Sequence, residues 1–326
     1  MSDARRPAEP IPLVRRFPAL AGIPRVALIN GRTPVFPLAA ISPSLWIKRD
    51  DMSADPLGGN KVRSLEFLLA PVRTGDRVVT VGSAGSTHAL AVATYGRRLG
   101  ARVLVGRWRQ TMNPTATLVS RRIDAIAERA PAFGSTAGAY AWSALQRIRG
   151  AHWVPAGGSS PLGVLGHVNA GLELIEQLDA GQLPLPSFVV VPLGTGGTAA
   201  GLALAFAIAR REIVVIGARV VPRIVGRRAR VLRLARATAR LIEHHAGERL
   251  SPVRRDAVRV VHEAYGGSYG AETPEARAAA RRLEEATGIR ADASYSAKGF
   301  QVALGVAAHA PVLFWLTFDP RTLDQQ

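Results

Sequence analysis

FVVVPLGTGGTAAGLALAFAIA occupies residues 188–209. It opens with a β-branched apolar run, passes through Gly194, Thr195, Gly196, Gly197 and Thr198, and closes as an Ala/Leu stretch before Arg210 and Arg211. Its length and near absence of charge imitate a membrane span. The glycines and threonines divide it, however, and a buried strand, a tight loop and a helix account for every part. A strand feeding straight into a helix is the repeating unit of an α/β fold.

The same alternation extends in both directions. Upstream, LWIKRD (45–50) reads as a strand and NKVRSLEFLLA (60–70) as a helix; RVVTVG (77–82) is a strand followed by HALAVATYGRRLG (88–100) as a helix. A further strand covers 102–106, and helical stretches run to about Arg149. After the Gly-rich AGGSSPLGVLGH (156–167), NAGLELIEQL (169–178) reads as a helix, then come the strand–loop–helix above and a strand in EIVVIGARVV (212–221). TPEARAAARRLEEATG (273–288) is a helix with Thr273 as N-cap, Pro274 at its first position and Gly288 as its stop. VLFWLTF (312–318) is a last strand, and residues 1–44 are Pro-rich and read as an arm lying on the fold. Apolar strands alternating with helices predict two open, mainly parallel twisted sheets with helices on both faces, divided near residues 156–163.

The composition agrees. The chain has 326 residues, 48% hydrophobic and 20% charged, enough for a large core and unlike a disordered chain. It has no cysteine, which excludes disulfides, thiolate metal sites and a cysteine nucleophile. MSDARRPAEPIPLVRRFPAL at the start lacks the continuous apolar stretch of a secretory signal, so a cytoplasmic protein is expected. The net charge of +18 comes mostly from arginines scattered along helical faces. RIVGRRARVLRLARATAR (223–240) is an exception, a dense basic helix suited to an acidic partner. It has no aromatic residue on which a base would stack, which speaks against nucleic acid.

Three turns carry candidate chemistry. Lys61 follows Gly58, Gly59 and Asn60 at a helix start, where the helix N-terminus disfavours a cation and eases deprotonation of an amine. Residues 194–198 offer backbone N–H groups and hydroxyls to a phosphate, although glycines in a tight strand–helix connection have a purely conformational explanation too. The loop matches neither the Walker sequence nor GxGxxG. TVGSAGSTHALA (80–91) places Ser83, Ser86, Thr87 and His88 at another helix start. Those hydroxyls suit a substrate carboxylate, and helix capping explains Ser86 or Thr87 equally well.

In order and spacing, GGNK (58–61), the Ser-x-His turn at 86–88, GTGGT (194–198), YGGSYG (265–270) and YSAK (295–298) resemble the fold-type II pyridoxal 5′-phosphate enzymes, closest to the D-cysteine desulfhydrase/1-aminocyclopropane-1-carboxylate deaminase group. The resemblance runs from about Pro34 to the C-terminus. It implies a tryptophan synthase β-like fold, with a large cofactor-binding unit of residues 1–62 and 157–326 and a small unit of 63–156. It further implies that Lys61 is the Schiff-base lysine and the base at Cα, and that Asn60 places the cofactor. Ser86 would hold the substrate carboxylate with Thr87 and His88 beside it, and Gly194, Thr195, Gly196, Gly197 and Thr198 would hold the phosphate. Tyr269 and Tyr295 would face the substrate and move protons, a role to set against plain aromatic packing. The family is usually homodimeric, and its substrates are small amino acids.

Three positions depart from the family pattern. Thr87 stands where Asn is usual. Residues 316–319 read Leu-Thr-Phe-Asp in place of His-Thr-Gly-Gly, leaving Thr317 as partner of the pyridine nitrogen. Ser296 stands where deaminases carry Glu and desulfhydrases Thr. A hydroxyl partner leaves the pyridine less protonated than a carboxylate does, which argues against cyclopropane ring opening and for an altered or reduced activity. The sequence therefore points to deaminating β-elimination, with β-replacement, racemisation, or cofactor binding with weakened catalysis as the alternatives.

Overall fold

The structure is a computed structural model that describes residues 10–323; the first nine residues of the expected arm and the last three of the large unit lie outside them. The strands are β1 (Val35–Pro37), β2 (Leu45–Arg49), β3 (Arg77–Ser83), β4 (Arg102–Trp108), β5 (Ala132–Phe133), β6 (His152–Val154), β7 (Phe188–Leu193), β8 (Val214–Arg219), β9 (Val258–Val261) and β10 (Val312–Leu316). The helices are α1 (Pro12–Arg16), α2 (Asn60–Leu68), α3 (Thr87–Arg98), α4 (Pro114–Ile126), α5 (Thr136–Ile148), α6 (Pro161–Asp179), α7 (Gly197–Ile208), α8 (Arg228–Ala246), α9 (Pro274–Thr287) and α10 (Ser296–Ala307).

Two sheets form. The larger runs β1-β2-β10-β7-β8-β9 and the smaller β5-β4-β3-β6. Among the described residues only the β1–β2 pair of strands is antiparallel. The period-2 geometry of a strand sorts the apolar runs between two covered faces. Val189, Val191 and Leu193, with Leu313 and Trp315, join the core under α6, α7 and α8. Val190, Val312, Phe314 and Leu316 join a second core under α9 and α10. A third core lies between the smaller sheet and α2 and α3. Residues 188–209 are thus the strand, loop and helix expected, and among the described residues no helix is long and apolar enough to cross a membrane.

Several elements differ from the reading of the sequence. Helix α6 begins at Pro161, inside the stretch taken for a loop, capped by the Ser160 hydroxyl. Its Gly166 serves a close approach: a Cβ there would lie 1.8 Å from the Arg63 carbonyl of α2. The basic helix is displaced to Arg228–Ala246, because residues 222–226 close a turn through the Val225 N–H to Pro222 carbonyl bond of 2.9 Å. Its buried stripe of Val231, Leu232, Ala235 and Ile242 makes it an ordinary amphipathic helix on the core. Strands β1, β5, β6 and β9 and helices α1 and α10 were not anticipated. The arm does lie on the fold: Leu13, Phe17 and Leu20 enter the core, and the Leu13 N–H bonds Asn169 of α6 at 3.0 Å.

Candidate active site

The C-terminal ends of β7 and β10 and the start of α2 meet at one cleft, where open parallel sheets generally bind ligands. Its walls include Asn60, Lys61, Thr87, residues 194–198, Asp292, Tyr295 and Thr317. The loop after β7 enters α7 through Gly196, whose φ of +94° is the left-handed conformation that glycine tolerates. No side chain caps α7, and among the described residues nothing receives the N–H groups of Gly196, Gly197 and Thr198. Buried orphan donors at a helix N-terminus are what an anion satisfies. The Thr198 hydroxyl accepts from Asn60 Nδ2 at 2.8 Å, and Thr195 Oγ1 lies 2.6 Å from Ser159 Oγ.

Lys61 stands opposite. Gly59, at φ +123°, lets the chain pass under the Thr317 carbonyl, which the Asn60 N–H bonds at 3.0 Å. The Lys61 amine has no hydrogen-bond partner among the described residues, and burial lowers it to about 8. Two other buried groups sense its charge. Burial and Lys61 take His88 down to about 3, and burial, Lys61 and Arg63 take His167 well below its ordinary value. His88 is buried, 3.4 Å from Thr80 Oγ1, and is not among the residues that line the cleft.

The remaining candidates divide. Thr87 and Thr317 line the cleft. Ser86 caps α3, accepting from the Ala89 N–H at 3.2 Å, which leaves its own hydroxyl proton to give. Tyr269 and Tyr295 meet hydroxyl to hydroxyl at 2.5 Å with rings edge to face, and Ser83 bonds Tyr269 as well. Burial raises both phenols, so they stay protonated at neutral pH. Ser296 is fully buried, donating to the Phe318 carbonyl at 3.1 Å and lying 3.5 Å from Thr317 Oγ1.

An unpartnered, readily neutral amine facing a cradle of orphan N–H donors fits a cofactor with one carbonyl and one phosphate. The sequence matches the family described as pyridoxal-phosphate dependent enzyme over residues 26–317. The chain belongs to that family. Among its relatives, the nocardicin C-9′ epimerase of Nocardia uniformis subsp. tsuyamanensis is 34% identical, the match covering 93% of this chain and 94% of that one. A D-cysteine desulfhydrase of Serratia proteamaculans is 30% identical over 90% and 93% of the two chains. A solved structure titled as an ACC deaminase homologue superposes with a TM-score of 0.78 at 28% identity, covering 93% and 94%. Like these, the chain is a pyridoxal 5′-phosphate enzyme of fold type II.

Two features of the site escaped the sequence. Asp292 lines the cleft; its only sequence signal is an acidic residue just ahead of a helix start, and α10 had not been read as a helix. Behind Lys61 lies a buried ionic cluster. Arg63 bonds Asp50 at 2.6 Å and Glu173 at 2.7 Å, Lys48 bonds Glu173 at 2.6 Å, and Trp315 Nε1 bonds Asp50 at 3.0 Å. Burial alone would raise Glu173, but Arg63 and then Lys48 reverse this and hold it at about 2. The cluster ties α2 to β2, β10 and α6, two residues beyond Lys61.

Proposed function

We propose that this enzyme is a deaminating lyase of the D-cysteine desulfhydrase type, acting on a small amino acid by Cα-proton removal and β-elimination to give a keto acid and ammonia. The observation that carries the reading is the Lys61 amine, unpartnered and lowered to about 8, in one cleft with the protonated Tyr295, whose hydroxyl meets that of Tyr269. When bound, pyridoxal 5′-phosphate supplies a carbonyl for an amine and a conjugated ring that takes up the electron pair left at Cα. The N–H groups of residues 194–198 and the Thr195 and Thr198 hydroxyls would hold the phosphate, with Asn60 bracing Thr198 and Thr87 nearby. Thr317 would be the partner of the ring nitrogen. The Ser86 hydroxyl donates to the substrate carboxylate. Lys61 takes the Cα proton as a neutral base, and Tyr295 passes a proton to the leaving group and regains one from Tyr269.

The reading includes a division into a large unit (1–62 and 157–326) and a small one (63–156), a homodimer and a cytoplasmic setting. The exposed Leu145 and Ile148 on α5 are apolar surface of the kind a second copy covers; light scattering reads the assembly.

A second reading, racemisation or epimerisation, is favoured by Lys61 and Tyr295 being two separate proton carriers at one cleft, and by the relative named as an epimerase. One experiment separates them. Holoenzyme is offered D- and L-amino acids in D2O while keto acid and Cα deuterium are followed. Keto-acid release supports elimination; deuterium in recovered amino acid without keto acid supports racemisation. Cofactor absorbance that no amino acid perturbs sinks both.

A further inference from the structure

Asp292, which the proposed reaction does not use, precedes α10, is 3% exposed and lines the same cleft as Lys61, Tyr295 and Thr317. Its carboxylate accepts the N–H groups of Ser294 at 3.1 Å, Tyr295 at 2.9 Å and Ser296 at 2.9 Å. These bonds cap the helix, but a cap does not require a place in the cleft wall. Among the described residues Asp292 has no ion-pair partner, although an uncompensated buried charge is strongly unfavourable.

The charged and titratable groups around it are few. Lys298 of α10 gives its amine to the Tyr265 carbonyl at 2.6 Å instead. Tyr269 and Tyr295 feel the carboxylate as a repulsive charge, which adds to burial in raising them. Lys61 faces the same cleft from α2. The position therefore lacks a cation and is built to accept one.

Burial raises the Asp292 carboxyl above its ordinary value, and its bonds to the Ser296 hydroxyl and to the N–H groups of Ser296, Tyr295 and Ser294 offset this only in part. A cation at the cleft wall would offset the rest. The Ser296 hydroxyl also meets the Phe318 carbonyl at 3.1 Å, beside Thr317.

We propose that Asp292 is the charge partner of the cofactor ring: its carboxylate, steadied by Ser296, favours the protonated pyridine nitrogen and stands in for the acidic residue that position 296 lacks. The proposal rests on the cofactor and not on the substrate. It reverses the weakened electron sink expected from Ser296 alone, since a protonated ring withdraws electrons more strongly.

The test uses holoenzyme without substrate, reconstituted with cofactor labelled with ¹⁵N in the ring, and reads the nitrogen's chemical shift by NMR across pH. Wild type should report a protonated ring at neutral pH. Asp292→Asn keeps an oxygen acceptor for α10, so the visible band of the Lys61-bound cofactor should persist while the ring nitrogen's pKa falls by about 1–3 units. Asp292→Ser should do the same, which guards against a folding defect peculiar to one variant. An unprotonated ring in wild type overturns the proposal. So does a thermal loss in both variants with the nitrogen shift unmoved, which reduces Asp292 to a helix cap. Neither result bears on the elimination chemistry.

Discussion

Lys48 and Lys61 belong to neighbouring elements, β2 and α2, and burial takes both amines to about 8. Their surroundings are opposite. Lys48 has three oxygen partners, the Thr33 carbonyl at 2.7 Å and the side chains of Glu173 and Gln177, both at 2.6 Å. Lys61 has none among the described residues, and faces orphan N–H donors across a cleft. Desolvation alone therefore does not mark a reactive lysine. The absence of partners does, because a hydrogen-bonded ammonium is held in its charged form and in one direction, whereas a bare amine is free to attack. The two are also linked: the cluster that satisfies Lys48 includes Arg63, one half-turn beyond Lys61, so the paired region holds the unpaired one in place.

The contrast is broken most directly by exchanging the roles. Lys61→Ala should abolish the visible absorbance of lysine-bound cofactor and lower turnover by about 10⁴-fold or more, with the thermal midpoint nearly unchanged. Lys48→Met should do the reverse, retaining the band in whatever protein folds. A band that survives Lys61→Ala sinks the assignment.

Glu173→Gln tests the paired side alone. It leaves Lys48 and Arg63 buried with reduced compensation, and should cost about 3–5 kcal/mol in urea denaturation. Acid probes the same group without mutation. The Glu173 pKa in the fold, about 2, lies below its ordinary 4.5, so its stabilising contribution is complete above 4.5 and is lost as pH falls from there toward 2. Glu173→Gln should flatten that part of the stability curve.

Lys61 has the complementary pH signature. Cofactor capture by apo-protein should accelerate as pH rises toward about 8 and level off above it, because only the neutral amine attacks. A rate that is flat across this range contradicts an unpartnered amine. The smallest effect is expected from Asn60→Ala, which removes one bond to Thr198. About 1 kcal/mol, or roughly fivefold in cofactor Kd, should be lost, as equilibrium dialysis can measure.

Much of this site was legible beforehand because its parts are local. A lysine after GGN, hydroxyls before a helix, and glycines after a strand are contiguous patterns whose backbone geometry follows from a few residues. The departures at positions 87, 296 and 316–319 were equally plain as text. Their consequence was not: Ser296 read by itself predicted a less protonated ring and a weaker electron sink, and Asp292 bears on that prediction only once α10 is known to begin at Ser296. The Gly-rich stretch at 156–167 misled for a related reason. Gly163 and Gly166 look like loop residues, yet they are small because α6 packs hard against neighbouring backbone.

The sequence by itself determined the α/β alternation and the two-sheet architecture, since both depend on periodicity and short turns that neighbouring residues settle; the cofactor and the role of Lys61 were implied by the order of five motifs resembling a known family. Only the tertiary structure decided that Glu173 and Arg63, 110 residues apart, share a buried charge cluster, that Tyr269 and Tyr295 touch, and that Asp292 reaches the cleft. Those facts depend on which elements meet in space, and side-chain charge and hydrogen bonding act over a few ångströms without regard to separation along the chain.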